Sequence, residues 1–235
     1  MTASSPVSTV DPVARDVDPF AMRSFRVRSR RQDTRDTVTL SLGPVDGAHL
    51  SFLPGQFTMV YAFGVGEVPL SISADPSPGR PLLHTIRDVG GVTHTLAGLR
   101  RGDVVGIRGP YGTGWDVSDG RGGDVVIVAG GIGLAPLRPA LLQVLANRDA
   151  YGRVVLMYGT RTPEDVLYAK ELERWRGRFD LEVDVTVDYG PPAWKGKVGL
   201  VTDLIPRAGF DPSHALALVC GPEAMMRHVA AALTD

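Results

Sequence analysis

The feature that most constrains this chain is a glycine turn between a strand-type segment and a helix-type segment, at residues 125–136. Apolar, mostly β-branched residues lead into glycines at positions 130, 131 and 133, and Pro136 follows where a helix should begin. Because glycine has no Cβ atom, the main chain can approach a phosphate closely, and the following helix offers free N–H groups. The same turn can also join a strand to a helix without any ligand.

A second unit of this kind lies near the end of the sequence, where Val219 and Cys220 lead into Gly221 and Pro222. Strand and helix patterns alternate between the two turns. Strands are predicted at residues 124–128, 153–158, 181–187 and 215–220, and helices at residues 134–147, 163–175, 199–205 and 222–233. Such alternation requires crossover connections and a parallel sheet, which binds its ligands at the carboxyl ends of the strands. Two glycine turns at the carboxyl ends of parallel strands therefore favour a nucleotide as the ligand.

The first half of the chain has a different pattern, with short β-type runs separated by turn residues. The runs are at residues 25–28, 37–42, 57–61, 82–86 and 103–107, with one short helix at 93–99. Closely spaced strands of this type predict an antiparallel barrel. The predicted organisation is a flexible extension at residues 1–22, an antiparallel β-barrel at 23–117 and an α/β parallel-sheet nucleotide-binding domain at 118–235.

Composition excludes several classes of function. A net charge of -1 gives no field that favours nucleic acid or an anionic membrane. No segment is long and apolar enough to span a bilayer, and the first residues have no signal-peptide core, so we expect a cytoplasmic protein without membrane insertion. Cys220 is the only cysteine, which excludes an intrachain disulfide and a cysteine-ligated iron–sulfur cluster built from these residues. The five histidines lack metal-ligand spacing, and no metal site is predicted.

Further motifs precede the two glycine turns in a fixed order. They are LPGQF at residues 53–57, PLSIS at 69–73, GGVT at 90–93 and GPYG at 109–112. Over about residues 23–235 this series resembles the ferredoxin–NADP reductase superfamily. Within it, the chain looks most like the flavin- and NAD(P)-binding gamma subunits of multisubunit nickel–iron hydrogenases and sulfhydrogenases. One subunit of anaerobic sulfite reductase and the electron-transfer subunit of dihydroorotate dehydrogenase are near relatives of that group.

The resemblance implies an FAD site on the barrel. A strand segment would lie along the isoalloxazine ring, with Ser71 near flavin N5, and a loop at a helix start would hold the diphosphate through N–H groups and the Thr93 hydroxyl. The implied contacts are Pro69, Leu70, Ser71, Ile72, Thr85, Ile86, Arg87, Gly90, Gly91, Val92 and Thr93. From chemistry alone, the alternative is that Ser71 is an ordinary strand residue.

The barrel also departs from the superfamily pattern. Where an Arg-x-Tyr-Ser motif is common, with the arginine on a flavin phosphate and the tyrosine stacked on the ring, this chain has Val68 and Leu70. A cation and a stacking partner are therefore missing. Arg87 either supplies the missing charge or is simply an exposed strand residue.

The resemblance also implies an NAD(P) site in the second domain. The pyrophosphate would lie over the first glycine turn, the nicotinamide near the second, and the adenosine ribose at the end of the strand that follows the first turn. The implied contacts are Gly130, Gly131, Ile132, Gly133, Pro136, Gly159, Arg161, Cys220, Gly221, Pro222 and Met225. Cys220 either faces the cofactor or is a small buried hydrophobe. Arg161 either pairs with a 2′-phosphate or faces solvent, so NAD and NADP both stay open.

The function implied is that of a diaphorase-type subunit, with Ser71 and Cys220 beside the reacting atoms. Hydride would pass between NAD(P)(H) and FAD, and single electrons between FAD and iron–sulfur centres of a partner, a hydrogenase-type complex. A [2Fe–2S] cluster, usual in hydrogenase gamma subunits, would require an extension beyond Asp235. The alternatives are a free-standing NAD(P)H–flavin or ferredoxin reductase and a non-catalytic assembly subunit.

Overall fold

Six β-strands build the first domain. The computed structural model describes residues 18–234. The strands are β1 (Arg23–Gln32), β2 (Thr37–Pro44), β3 (Phe57–Ala62), β4 (Gly66–Ser71), β5 (Leu82–Arg87) and β6 (Val104–Tyr111). They pair antiparallel in the order β4-β3-β6-β1-β2-β5, and a bridge between Ile72 and His84 joins the two end strands. The predicted antiparallel barrel is confirmed.

The barrel encloses an apolar core and has one helix at its end. Phe25, Leu40 and Ile107 are each at most 1% exposed inside it. The helix, α1 (Gly91–Gly98), packs Leu96 into this core. Strand β4 was not predicted, because Gly66 and Pro69 obscure the strand pattern; Pro69 is tolerated since β4 is an end strand of the hydrogen-bonded order.

The predicted parallel sheet of the second domain is confirmed, and it has five strands, one more than the four predicted. They are β7 (Asp124–Gly130), β8 (Val154–Thr160), β9 (Glu182–Val187), β10 (Lys197–Val198) and β11 (Ala215–Cys220), in the order β10-β9-β8-β7-β11. Helices α2 (Leu134–Ala146), α3 (Ala169–Arg176) and α4 (Glu223–Thr234) complete the domain. Strand β7 is buried on both faces, which explains its unbroken apolar sequence. The strand order reverses at β7, so a crevice opens beyond its carboxyl end.

Two predicted helices differ from the structure. The segment predicted as one helix at 163–175 is a 3-10 turn at Pro163–Asp165, with Thr162 as its N-cap, followed by a separate α3. The break is at Tyr168, which has a left-handed backbone with φ 53°. The helix predicted at 199–205 is a 3-10 helix at Val201–Arg207, which contains Pro206.

The two domains meet through a short connection, and the predicted boundary after residue 117 falls within it, between β6 and β7. Most of the predicted flexible extension, residues 1–17, lies outside the described residues. Pro19 lies against the barrel, because its carbonyl accepts hydrogen bonds from the Gly109 N–H and the Tyr111 hydroxyl. Within residues 18–234, no helix is long and apolar enough to cross a membrane, and no cluster of potential ligands could hold a metal ion.

Candidate functional site

A cavity of about 480 Å³ lies at the carboxyl ends of the parallel strands, where the strand order reverses. It brings together residues from both predicted sites. Seven of the predicted site residues line it: Arg87, Gly130, Gly131, Gly159, Arg161, Pro222 and Met225. A cavity of this size, glycine-rich on one wall and with arginines on another, suits an elongated anionic ligand.

The three glycines of the first turn serve different purposes. A Cβ atom on Gly133 would overlap the carbonyl oxygen of Cys220 and would lie 2.9 Å from the Gly221 nitrogen. A Cβ atom on Gly130 would lie 2.9 Å from Pro222 Cδ. These two glycines therefore let the two turns pack against each other. The contact of the Gly133 main chain with the pyrophosphate stays a prediction.

Gly131 also lines the cavity, and it is the glycine of this turn whose Cβ position is not packed against the protein. Its φ of +53° is left-handed, and a Cβ atom at this position would have Arg87 Nη2 as its nearest neighbour, at 3.8 Å. The Tyr158 hydroxyl donates a hydrogen bond of 3.1 Å to the Gly131 carbonyl. The Tyr158 side chain thus holds the turn, while the side of the turn that lines the cavity stays accessible.

The remaining predicted residues of the two turns do not line the cavity. Ile132 is partly buried against the core of the second domain, and Pro136 lies in the first turn of α2. Cys220 is partly buried in the same core, and burial raises the pKa of its thiol, which is therefore protonated at neutral pH. Cys220 and Gly221 do not line the cavity, whereas the next residue, Pro222, does.

Two arginines provide positive charge at the cavity. Arg87, at the end of β5, reaches from the barrel towards Gly131, and its Nε lies 3.6 Å from Asp36 Oδ2. That Nε is buried and has no hydrogen-bond partner among residues 18–234. Arg161 follows β8, is exposed, and makes no ion pair within the same described residues. Both guanidinium groups are available to an anionic ligand.

The predicted diphosphate loop lies at the start of α1. A Cβ atom on Gly90 or Gly91 would meet no atom within 4 Å, so the loop leaves open space above it. The N–H groups of the first helical turn have no backbone partner inside the helix, and together with the helix dipole they favour the binding of an anion. Val92 follows on this turn and is partly buried against the barrel core.

The Thr93 hydroxyl does not have the role expected for it. It accepts hydrogen bonds from the N–H groups of Val89 (3.0 Å) and Gly90 (2.9 Å) and donates to the Gly90 carbonyl (2.9 Å). Its single hydrogen is therefore used within the loop. Thr93 shapes the loop rather than donating from its side chain to a phosphate.

The predicted ring-facing segment on β4 divides between two faces of the strand. Leu70 and Ile72 pack into the barrel core, whereas Pro69 is exposed and Ser71 is partly exposed on the opposite face. Only Pro69 and Ser71 therefore present side chains outside the barrel. The Ser71 carbonyl is fixed by a 3.0 Å hydrogen bond with His84 Nδ1.

Two predicted residues on β5 lie inside the protein. Ile86 is 1% exposed in the barrel core. Thr85 is 5% exposed, and its hydroxyl lies 2.6 Å from the hydroxyl of Tyr168 in the second domain. The Thr85 side chain is therefore part of the contact between the domains.

Sequence reasoning missed more than half of the cavity lining. The missed residues are Asp36, Thr160, Asp165, Asp188, Leu200, Val201, Thr202, Ala224 and His228. Those that directly follow β8 and β9, such as Asp188, could have been found by their strand-end positions. Asp36 had no signal, because it lies in a turn of the barrel and enters the cavity only through the packing of the two domains.

The donor sets fit two phosphate-containing cofactors. The helix start at Gly90 and Gly91 leaves its main chain exposed, with no atom within 4 Å of either Cβ position, and the cavity supplies a second glycine turn with two arginines, Arg87 and Arg161. These are the chemical features that diphosphates require.

Comparisons with known proteins agree with this geometry. Residues 127–231 match the family described as oxidoreductase NAD-binding domain. The sulfhydrogenase 2 subunit gamma of Pyrococcus furiosus is 35% identical over 93% of this chain and 81% of its own length. A probable dihydroorotate dehydrogenase B (NAD(+)), electron transfer subunit, from Methanocella arvoryzae is 38% identical over 77% of this chain, which spans 62% of that protein.

A solved structure shows the same fold at low sequence identity. The ferredoxin NADP+ reductase of Neisseria gonorrhoeae, with bound FAD and NADP, superposes with a TM-score of 0.76, with 91% of each chain covered and 17% identity. The arrangement of a barrel followed by a parallel sheet is therefore shared over nearly the whole chain.

Proposed function

The chain belongs to the ferredoxin–NADP reductase superfamily of FAD- and NAD(P)-dependent oxidoreductases, and on that premise we propose that it is an electron-transfer flavoprotein subunit. In this proposal hydride passes between NAD(P)(H) and FAD, and single electrons pass between FAD and the iron–sulfur centres of a partner. The barrel holds FAD, and the parallel-sheet domain holds the pyridine nucleotide.

One observation carries the proposal: Arg87 extends from the barrel to the glycine turn of the other domain. It stands at the end of β5, three residues before the open loop that begins at Gly90. The two anion-binding features are therefore neighbours across the domain contact. Neighbouring sites of this kind suit two cofactors that exchange a hydride directly.

The residues of the chain bind and orient the cofactors. The N–H groups at Gly91 and Gly131 would hold the two diphosphates, and Pro69 and Ser71 would present the outer face of β4 to the flavin ring. FAD, when bound, supplies both two-electron and one-electron redox chemistry. Ser71 and Cys220 are proposed to lie beside the reacting atoms, and a neutral Cys220 thiol would add no charge there.

The proposed partner is an iron–sulfur protein of a hydrogenase-type complex. The proposal is supported by similarity to proteins named as a sulfhydrogenase gamma subunit and a dihydroorotate dehydrogenase electron transfer subunit. It is also supported by composition, because Cys220 is the only cysteine in these 235 residues and a cluster needs several ligands. One-electron carriers would therefore come from outside this sequence.

The test is to produce the chain alone and together with the products of neighbouring genes. We expect the isolated chain to bind FAD and reduce an artificial dye with NADH or NADPH, but to reduce the physiological acceptor only in the presence of the partner. Equal turnover of that acceptor by the isolated chain would instead make the protein a free-standing reductase. A purified chain that takes up no FAD would make it a non-catalytic assembly subunit.

A further inference from the structure

Tyr168 connects the two domains in an unusual conformation. It is the only residue other than glycine with a positive φ among residues 18–234, and it is 5% exposed. A left-handed backbone costs about 1 kcal/mol or more for such a residue, so the surrounding contacts must favour it. Those contacts come from both domains, because the ring belongs to the core of the parallel-sheet domain and the hydroxyl lies against Thr85 of the barrel.

The hydroxyl of Tyr168 begins a chain of buried hydrogen bonds. It lies 2.6 Å from the Thr85 hydroxyl, which lies 2.8 Å from the Thr39 hydroxyl, and Thr39 donates to Asp33 Oδ2 at 2.6 Å. Each hydroxyl has one hydrogen, and the carboxylate can only accept. The direction is therefore fixed: Tyr168 donates to Thr85, Thr85 to Thr39, and Thr39 to Asp33. Burial raises the pKa of Tyr168 to about 12, which keeps this donor protonated.

Arg138 of α2 makes a second connection to the barrel. Its guanidinium pairs with Glu171 at 2.7 and 2.8 Å, donates to the carbonyl of Ser73, and lies 5.4 Å from the centre of the Tyr168 ring. Arg31 of β1 lies 5.5 Å from the same ring centre. The tyrosine ring is therefore held by cations from both domains.

The junction contacts the elements that carry both candidate sites. Ser73 lies two residues after Ser71, and Thr85 lies two residues before Arg87. On the other side, the Leu167 N–H donates to the Tyr158 hydroxyl at 3.2 Å, and that hydroxyl donates to the Gly131 carbonyl. A continuous path of hydrogen bonds and one peptide link thus runs from the cavity-facing glycine turn to β5.

We propose that Tyr168 is a positioning residue, which sets the nucleotide-binding turn at Gly131 against the flavin-binding strands β4 and β5. The inference rests on the proposed function, because the distance that it controls is the one between the two cofactors. Tyr168 does not line the cavity, so it acts on alignment rather than on binding. Hydride transfer is sensitive to displacements of about 1 Å, and a small change at the junction is therefore measurable.

The experiment compares Tyr168→Phe with the wild-type chain, each loaded with FAD. We expect the limiting rate of flavin reduction by the pyridine nucleotide to fall about fivefold or more, since a buried hydrogen bond is lost at the junction. The half-saturating nucleotide concentration and the FAD content should stay within about twofold of wild type. Tyr158→Phe, which breaks the path on the other side of the peptide link, should slow the reaction in the same way.

A readout that needs no cofactor is hydrogen exchange of the FAD-free protein. In Tyr168→Phe we expect faster exchange in peptides that cover residues 71–74 and 83–87, and unchanged exchange in β6. The matched control is Tyr151→Phe, because Tyr151 is 7% exposed in the core of the same domain and lies outside the junction. This control should match wild type in both rate and exchange.

The results of these experiments distinguish the positioning role of Tyr168 from the proposed function. A limiting rate within twofold of wild type, or a loss matched by loss of bound FAD, would overturn the positioning role. Unchanged exchange in Tyr168→Phe would overturn the junction itself, whether or not the chain is an oxidoreductase. Failure of both NADH and NADPH to reduce FAD bound to the wild-type chain would overturn the proposed function, while the exchange comparison would still report on the junction.

Discussion

The two glycine loops of this protein use glycine for opposite reasons. At the start of α1, Gly90 and Gly91 border open space, and no atom lies within 4 Å of where a Cβ would be. At the start of α2, Gly130 and Gly133 are packed against Cys220, Pro222 and their neighbours. One loop leaves open space beside its main chain, where we propose that a diphosphate binds, and the other omits most side chains so that two turns of the backbone pack together.

The comparison shows that a glycine motif does not by itself mark a phosphate contact. In the packed loop, Gly130 and Gly131 both line the cavity, but only the Cβ position of Gly131 is free of packed neighbours, and Gly130 and Gly133 place the second turn next to the first. Substitutions in the two loops should therefore affect different properties: folding in the packed loop and ligand binding in the open one.

The largest effect is expected from Gly133→Ala. The added methyl group would overlap the Cys220 carbonyl, and overpacking against backbone costs about 3 kcal/mol of unfolding free energy. Urea denaturation of the FAD-free chain measures this loss. Gly98→Ala at the end of α1 is the control, since no atom lies within 4 Å there. If Gly133→Ala were as stable as Gly98→Ala, the packed-loop account would be wrong.

Gly91→Val should weaken FAD binding and leave stability nearly unchanged, which is the reverse of the effect of Gly133→Ala. The valine side chain enters only open space, so stability should change by less than about 1 kcal/mol. FAD binding should weaken about 10- to 100-fold, because the branched side chain covers charge-assisted N–H contacts to the diphosphate. Titration with FAD measures the affinity, and Gly98→Val in the same helix should bind FAD normally. Normal affinity in Gly91→Val would remove the diphosphate from this loop.

Arg87→Gln tests which of the two cofactors is bound by the arginine that lies between the two loops. Loss of a cation beside Gly131 should weaken pyridine nucleotide binding about tenfold, with the larger effect at low salt. FAD affinity should change less than threefold. Calorimetric titration at two salt concentrations tests this, with Arg80→Gln as control, because Arg80 is exposed and does not line the cavity. A larger loss of FAD than of nucleotide would assign Arg87 to the flavin phosphate.

The smallest effect concerns His84, which fixes the Ser71 carbonyl. Burial lowers the pKa of His84 from 6.5 to about 4, so the folded protein binds a proton here less readily than the unfolded chain. Stability is therefore lost as pH falls below 6.5, and the loss is complete below about pH 4. Between pH 7 and 5.5 this group should account for about 1 kcal/mol of lost unfolding free energy.

The measurement for His84 is denaturant unfolding at both pH values. His84→Gln should lose this part of the pH dependence, whereas His94→Gln, at an exposed position, should keep it. An identical pH dependence in wild type and His84→Gln would contradict the neutral, buried histidine.

Sequence reasoning predicted the barrel, the parallel sheet and both glycine turns, because period-two alternation and strand-to-helix rhythm are local signals. Strands β7 and β11 were located within two residues. It missed β4, where Gly66 and Pro69 break the pattern, and β10, which has only two residues. It also missed the left-handed break at Tyr168, where burial of the hydroxyl overrides the local helix preference.

The candidate site was predicted only in part, again because the sequence carries local signals alone. Residues next to a glycine turn could be named from the sequence, but the partners of their side chains could not. Thr93 was expected to face a phosphate and caps its own loop, and Asp36 was not expected at all, since only domain packing brings it to the cavity. Contacts between distant segments have no local signature.

The central claim is that the barrel holds FAD, the parallel-sheet cavity holds a pyridine nucleotide, and the two exchange a hydride. Anaerobic stopped-flow mixing of the FAD-loaded wild-type chain with NADH or NADPH tests it most directly. We expect rapid bleaching of the flavin absorbance, with a rate that saturates as the nucleotide concentration rises, and in Tyr168→Phe we expect retention of FAD but slower bleaching. If the chain retains FAD and neither nucleotide bleaches it, hydride transfer between the two cofactors is excluded.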